Sequence, residues 1–156
     1  MKIIDLKTWA VDNPPPHFGG RYFQLLQLCT DTGVTGLGEV YAATFSPAVV
    51  RAMIEDVFAR HFENAAPHDI EKIRREVYAR GYTGRPDASL SGVLSGLEIA
   101  CWDIVGKAAG KPVYELLGGR VHDTIRTYTY LYPGDDDTGG TDTNASAAVY
   151  DQPEVA

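Results

Sequence analysis

The stretch from Leu90 to Gly119, LSGVLSGLEIACWDIVGKAAGKPVYELLGG, constrains the chain more than any other. Apolar residues recur at Leu90, Leu94, Leu97, Cys101, Ile104 and Ala108, at intervals that alternate four and three. That spacing draws one stripe down one face of a helix. Ser91, Gly92, Ser95, Gly96 and Ala100 interleave the stripe. Such small residues cost helix propensity but let another backbone come close. The pattern predicts a buried helix with the rest of the fold laid against it. Gly110 suits the C′ position, with Pro112 just beyond. Pro112 can open a short second helix, VYELL, ended by Gly118 and Gly119.

Upstream, the periodicity changes from helix to strand. Ile4, Leu6, Thr8 and Ala10 alternate with Asp5, Lys7 and Trp9, which predicts a strand with the first set buried. Three prolines at 14 to 16 stop it, so His17 to Arg21 belongs to an exposed loop. Tyr22 to Thr30 is the next strand, Thr30-Asp-Thr-Gly33 a turn, and Val34 to Val40 the returning strand. Gly36 and Gly38 predict a bulge or a close backbone contact. Tyr41 to Phe45 is a second loop. Ser46 is placed to N-cap a helix with Pro47 at N1 and Val49, Val50, Met53, Ile54 and Val57 on its apolar face. A further helix follows Pro67, with Ile70, Ile73 and Val77 inward. The fold class expected is α+β: a three-stranded antiparallel meander followed by helices on one face. After Gly119, Ile125 to Tyr132 reads as one more strand, Gly134 to Asn144 as a mobile acidic loop, and Tyr150 onward as the start of a helix.

Ser95-Gly-Leu-Glu-Ile-Ala-Cys-Trp-Asp-Ile-Val-Gly-Lys107, then Gly110-Lys-Pro-Val113 and Leu116-Leu-Gly-Gly119, resembles a signature of the enolase superfamily, in its mandelate racemase and muconate lactonizing group. Glu98 stands where aspartate is usual and keeps the charge. The resemblance implies an enolase-like N-terminal capping domain over residues 1–119. It also implies that residues 120–156 begin a (β/α) TIM-type barrel: first strand, mobile loop, start of the first helix. The activity implied is Mg²⁺-dependent removal of the proton beside a carboxylate, with dehydration of a sugar acid, an aldonate or aldarate, as the expected reaction. Racemisation or cycloisomerisation of a carboxylic acid is the alternative within the group, and a non-catalytic α+β binding module the alternative outside it. In this group the base and metal ligands lie on later barrel strands, so the resemblance assigns no catalytic residue and no metal ligand here. The polypeptide alone is then expected to be inactive. Aspartates 135 to 137 read as a solvated face.

The expected contribution of this chain is a lid. In the resembled group two capping-domain loops close over the barrel mouth, excluding water and completing the pocket. Here they correspond to Asn13 to Arg21, offering His17, Phe18 and Arg21, and Tyr41 to Phe45, offering Tyr41, Thr44 and Phe45. Arg21 could bind a carboxylate bidentately and His17 could donate to a hydroxyl. Trp102 is expected to be largely buried.

Composition narrows the partners. Net charge is −7 with dispersed Lys and Arg, which argues against a nucleic-acid surface. No continuous apolar run has bilayer-spanning length, and the N-terminus lacks the pattern of a signal peptide. Cys29 and Cys101 are expected as buried free thiols in a cytoplasmic protein. The partners expected are a small carboxylate substrate and, for the full-length enzyme, further copies of itself.

Overall fold

A computed structural model describes residues 1–14, 17, 20–41, 45–78 and 87–128. Phe18, Thr44, the acidic loop at 134 to 144, the helix start near Tyr150 and the end of the strand expected at Ile125 to Tyr132 lie outside the described residues. The chain divides into two units, Met1–Arg120 and Val121–Ala156.

The first unit opens with three antiparallel strands in the order β1-β2-β3: β1 is Ile3–Asp12, β2 Tyr22–Thr30 and β3 Thr35–Val40. The expected meander is therefore present. Gly33, with φ of 83°, closes the β2–β3 turn by donating its N–H to Thr30 O at 3.0 Å. One face of β2 is buried throughout, through Gln24, Leu26, Leu28 and Thr30. On β1 the expected phase fails at its start. Ile3 is buried and Ile4 is 52% exposed, because the register shifts between Ile3 and Asp5 and leaves Ile4 as the extra residue of a bulge. Ile3 instead exchanges backbone hydrogen bonds with Asn64 and Ala65 on its other edge. The outer sheet face carries Trp9, Val11, Phe23 and Leu37. Cys29 lies on that face too and is only half-buried, because strand alternation puts it opposite Leu28 and Thr30.

The helices follow: α1 is Pro47–Val57, α2 Ile70–Tyr78, α3 Ala88–Ala109 and α4 Val113–Leu116. Val50, Ile54 and Val57 of α1 are buried, whereas Val49 turns out to be exposed. Ser46 sits at the N-cap without a side-chain cap bond; its carbonyl accepts from Val49 and Val50 N–H. A π-helical turn, Phe58–Phe62, extends α1 and buries Phe62. On α2, Ile73 is buried with Ile70 and Val77 packed at the core margin.

The central helix α3 is as the stripe predicts. Leu94, Leu97, Cys101 and Ile104 are buried, together with Val93, Ala100 and the two glycines Gly96 and Gly106. Ala108 is exposed, because the helix runs past the sheet there. Asp87 caps it, Oδ1 accepting from Ser89 N at 2.8 Å and Leu90 N at 3.1 Å. Gly110 closes it at φ 65°. Each fully buried Leu or Ile along this seam contributes about 1.5–3 kcal/mol. Among the described helices, α3 alone is long and apolar enough to cross a membrane by length and composition, although Glu98, Asp103 and Lys107 interrupt its apolar residues. Here its apolar face is spent on the core. Trp102 is half-buried, less covered than expected, since it lies one residue off the stripe.

Two features fix α3 against β3. The first is backbone contact: a Cβ on Gly36 would stand 2.0 Å from Ala100 O, and one on Gly38 would stand 2.0 Å from Gly96 O. The glycines in β3 are there for close approach, one of the two readings of the sequence. The second is a polar clasp on the open edge of the sheet. Asp103 Oδ2 accepts from Leu37 N at 2.9 Å and from Lys107 Nζ at 2.7 Å, and Lys107 Nζ also donates to Thr35 O at 2.9 Å. An edge strand otherwise presents such groups unpaired. The Asp and Lys of the WD…GK signature thus serve the scaffold.

In the second unit, the described segment Val121 to Tyr128 is neither helix nor strand, and Val121, Ile125 and Tyr128 are each more than 80% exposed. The first half of the expected strand, Ile125 to Tyr128, is thus not in a ladder: no described residue offers it a neighbouring strand.

Candidate functional site

The sheet brings both candidate loops to one end. Asp12 is paired with Tyr22 where the first loop leaves β1 and enters β2, and Gln24 is paired with Val40 where β3 gives way to the second loop. A side chain at the root of the first loop reaches the second. Tyr22, on the inward face of β2, donates its hydroxyl to Phe45 O at 2.5 Å. Burial pushes the Tyr22 phenol above its ordinary value, so it remains a proton donor.

The first loop is braced at its root. Asn13 N donates to Arg21 O at 3.0 Å, and Asn13 Nδ2 donates to Gly20 O at 2.7 Å. His17 is half-buried and sits at φ 62°, uncommon for a residue with a Cβ. Its N–H donates to Pro14 O at 3.0 Å, and its carbonyl accepts from Gly20 N at 2.9 Å. Arg21 is exposed, and its guanidinium has no acid partner among the described residues. In the second loop Tyr41 is 76% exposed and Phe45 40% exposed. Of the six expected pocket-lining residues, four are described, His17, Arg21, Tyr41 and Phe45, and these stand on loops that share one end of the sheet.

Two neighbours escaped the sequence reading. Tyr22 reads as an ordinary strand residue, yet it ties the loops. Gln24, 1% exposed, donates Nε2 to Trp9 O at 3.2 Å while its Oε1 has no partner among the described residues. Both occupy the inward parity of β2 with Leu26 and Leu28, and a polar pair in an apolar phase is the signal that could have flagged them.

No other described group competes as a chemical centre. Burial, with the nearby Glu98 charge adding to it, pushes the Cys101 thiol up to about 12, so it stays protonated and inert. Among the described residues no three His, Cys, Asp or Glu side chains converge on a metal position. Five of the described acids are engaged elsewhere: Asp103 on β3, Asp87 at the α3 cap, Asp56 with Arg60, Glu71 with Arg75 and Arg74, and Glu115 with Lys111. The Arg75 hydrogen bond holds the Glu71 carboxyl below its usual range.

Comparison with known proteins places this arrangement. Residues 18–118 match the model of the mandelate racemase/muconate lactonizing enzyme N-terminal domain. The chain belongs to the mandelate racemase/muconate lactonizing enzyme family of the enolase superfamily. It is similar to the D-galactonate dehydratase of Xanthomonas campestris pv. campestris (strain B100), 36% identical over 131 residues that cover 84% of this chain and 31% of that protein. The chain thus spans about a third of the length of the curated relatives it matches. Among solved structures it resembles the mandelate racemase/muconate lactonizing enzyme of Sulfitobacter sp., with a TM-score of 0.85 and 47% identity over 99% of this chain and 37% of that one. The mandelate racemase/muconate lactonizing enzyme-like protein of Roseovarius sp. TM1035 gives a TM-score of 0.82 and 53% identity over 88% of this chain and 35% of that one. β2, β3, α3 and the second loop fall within the matched N-terminal domain, and Asp103 and Lys107 hold its edge strand.

Proposed function

We propose that this chain is the capping domain and the beginning of the barrel of a Mg²⁺-dependent sugar-acid dehydratase, with a domain boundary near Gly119. The loops at Asn13 to Arg21 and Tyr41 to Phe45 form the lid over the substrate. The observation that carries the reading is the Tyr22–Phe45 hydrogen bond, which holds two loops rich in polar and aromatic side chains at one end of the sheet. The 36% identity to a D-galactonate dehydratase supplies the substrate class. Arg21, exposed and without an acid partner among the described residues, suits a substrate carboxylate, which a guanidinium grips with two parallel hydrogen bonds. Tyr41 and Phe45 present aromatic surface that would exclude water from the covered substrate. Two cysteines without a disulfide are in keeping with a reducing, cytoplasmic compartment.

Enolase-superfamily members use Mg²⁺, which stabilises the negative charge left when the proton beside the carboxylate departs. The described residues do not fit that ion: no three of their His, Cys, Asp or Glu side chains converge on one position. No step of the reaction is therefore assigned to them, and their part is to bind, orient and cover.

The test is turnover of D-galactonate and a panel of aldonates and aldarates by the whole enzyme with Mg²⁺, scored as 2-keto-3-deoxy acid. Arg21→Ala is expected to raise KM about tenfold, the size of one lost charge-assisted hydrogen bond. Racemisation without dehydration, or turnover by residues 1–156 alone, would overturn the reading.

A further inference from the structure

The two edges of the sheet differ. The edge of β3 is clasped by Asp103 and Lys107. On β1 the described residues cover only the start, where Ile3 exchanges hydrogen bonds with Asn64 and Ala65. The ladder fixes which groups face outward beyond it. Asn13 N donates to Arg21 O on the β2 side, and an antiparallel pair hydrogen-bonds at every second position, so Val11, Trp9 and Lys7 spend their main-chain groups on β2. The far side of the sheet agrees. Leu37 N is turned outward to Asp103, so Gln27, paired with Leu37, turns its own main-chain groups to Lys7. Leu6, Thr8, Ala10 and Asp12 therefore hold N–H and C=O on the open edge, and nothing among the described residues meets them. Every side chain from Trp9 to Asp12 is exposed as well. Trp9 and Val11 continue the apolar outer face from Phe23. The usual guards of an edge strand, a bulge and prolines, stand at its two ends, at Ile4 and from Pro14 on, and leave the middle bare.

We infer that the open edge of β1 is a docking surface for β1 of a second copy of this chain, the two strands running antiparallel about a two-fold axis at Trp9. The edge is complementary to itself in that register. With Trp9 facing Trp9 of the second copy, Thr8 meets Ala10 and Leu6 meets Asp12, so all four outward residues of each strand are paired. Other registers lose something. An axis at Ala10 sets Leu6 against Pro14, which has no N–H. An axis at Thr8 sets Asp12 against the bulged Ile4. An axis at Lys7 sets two ammonium groups face to face. The axis at Trp9 brings the two indoles together, with Lys7 of each copy on the diagonal, within reach of the other's ring. Trp9, Val11 and Phe23 of both copies then share one apolar band across the seam. Because the β3 edges are clasped, each copy has one open edge to offer, so the pairing closes at two copies and does not propagate. It is independent of which acid the enzyme turns over.

Analytical ultracentrifugation of the 156-residue chain at micromolar concentration should give about twice the 17.0 kDa of one chain. Amide hydrogen exchange should find Leu6, Thr8, Ala10 and Asp12 protected in that dimer and about tenfold or more faster on dilution, while Lys7, Trp9 and Val11 stay protected by β2. Ala10→Pro removes an outward N–H and no β1–β2 bond, so it should leave a monomer with unchanged circular dichroism. Trp9→Lys, which sets like charges across the axis at an exposed position, should do the same. The register has its own test. In a Cys29→Ser background, Trp9→Cys should cross-link to its own copy on air oxidation, since facing residues of such a pair stand about 4.5 Å apart from Cα to Cα, whereas Lys7→Cys should not. A monomer at every concentration overturns the inference, and protection of the four outward amides in that monomer would show that the chain's own residues take the edge. A dimer that survives both Ala10→Pro and Trp9→Lys is built elsewhere and overturns it too. Faster cross-linking of Lys7→Cys than of Trp9→Cys would refute the axis at Trp9.

Discussion

Replacing Gly38 by alanine tests the packing of α3 on β3 directly. The new Cβ would lie 2.0 Å from Gly96 O, 3.0 Å from Gly96 C and 3.3 Å from Ala100 N. Non-bonded heavy atoms settle at about 3.5–4.0 Å, so helix and strand must separate by roughly 1 Å or more. The obstacle is the main chain of a 22-residue helix, so no rotamer change relieves it. Overpacking a core usually costs about 1–3 kcal/mol. Separating the layers would also open gaps beneath Leu97, Ala100 and Ile104, and a gap of about 0.5–1 Å forfeits a quarter to a half of each contact's attraction. The two effects together put the expected loss at about 3 kcal/mol or more, a large share of the roughly 5–15 kcal/mol that holds a domain together. Urea denaturation followed by tryptophan fluorescence measures it. Gly33→Ala is the control: its φ is 83° but nothing lies within 4 Å of its Cβ, so only the left-handed backbone is penalised, by about 1–2 kcal/mol. A loss below about 1 kcal/mol for Gly38→Ala, or equal losses at the two positions, would refute the close-contact argument.

The two helix starts should respond differently: Asp87→Ala should cost about 1 kcal/mol, whereas Ser46→Ala should cost less than about half of that, because only the Asp87 side chain makes a cap bond; thermal denaturation of the pair checks the ranking. Asp103→Ala should destabilise by about 1–2 kcal/mol, with Leu37 N–H left bare on the sheet edge, and should raise light scattering at high concentration. An unchanged midpoint and no added association would mean the clasp is ornamental. Ellman's reagent at pH 8 should titrate one thiol quickly, Cys29, and the second only on unfolding, since the Cys101 thiol gives up its proton near pH 12 and is buried; two fast thiols would contradict that burial.

Much of the scaffold was legible because it rests on local rules. The four-and-three stripe from Leu90, the stop at Gly110, Pro47 at the head of α1 and the turn at Gly33 all follow from residues close in sequence. The failures have a common cause in partners that sequence spacing does not reveal. Ile3 rather than Ile4 faces inward because a bulge answers to the 64–65 segment far along the chain. Nothing in Phe58–Phe62 announces a π-helical turn, which is set by how α1 must end to bury Phe62. Asp103 finds Leu37 across 66 positions. The candidate site divides the same way. That both loops would stand at one end was readable from the strand order, since a meander returns every second connection to the same edge. That Tyr22 ties them, and that Asn13 braces the root of the first loop through Gly20 and Arg21, depended on contacts between groups whose directions only the folded chain sets.

The clasp between α3 and the edge of β3 also limits where the chain can change in length. The main-chain groups of Thr35 and Leu37 meet Lys107 and Asp103 along the strand's open edge, while Gly36 and Gly38 meet Ala100 and Gly96 on the face turned to α3. A one-residue slip of β3 would set both patterns out of phase together, so each guards the register that the other needs. The connections at the opposite end are under no such constraint. The first loop is closed by Asn13 at its own root and the second is tied back through a main-chain carbonyl, so their tips can gain or lose residues while the sheet and helix stay as they are. A scaffold rigid in register at one end and free in length at the other can change its loops without being refolded.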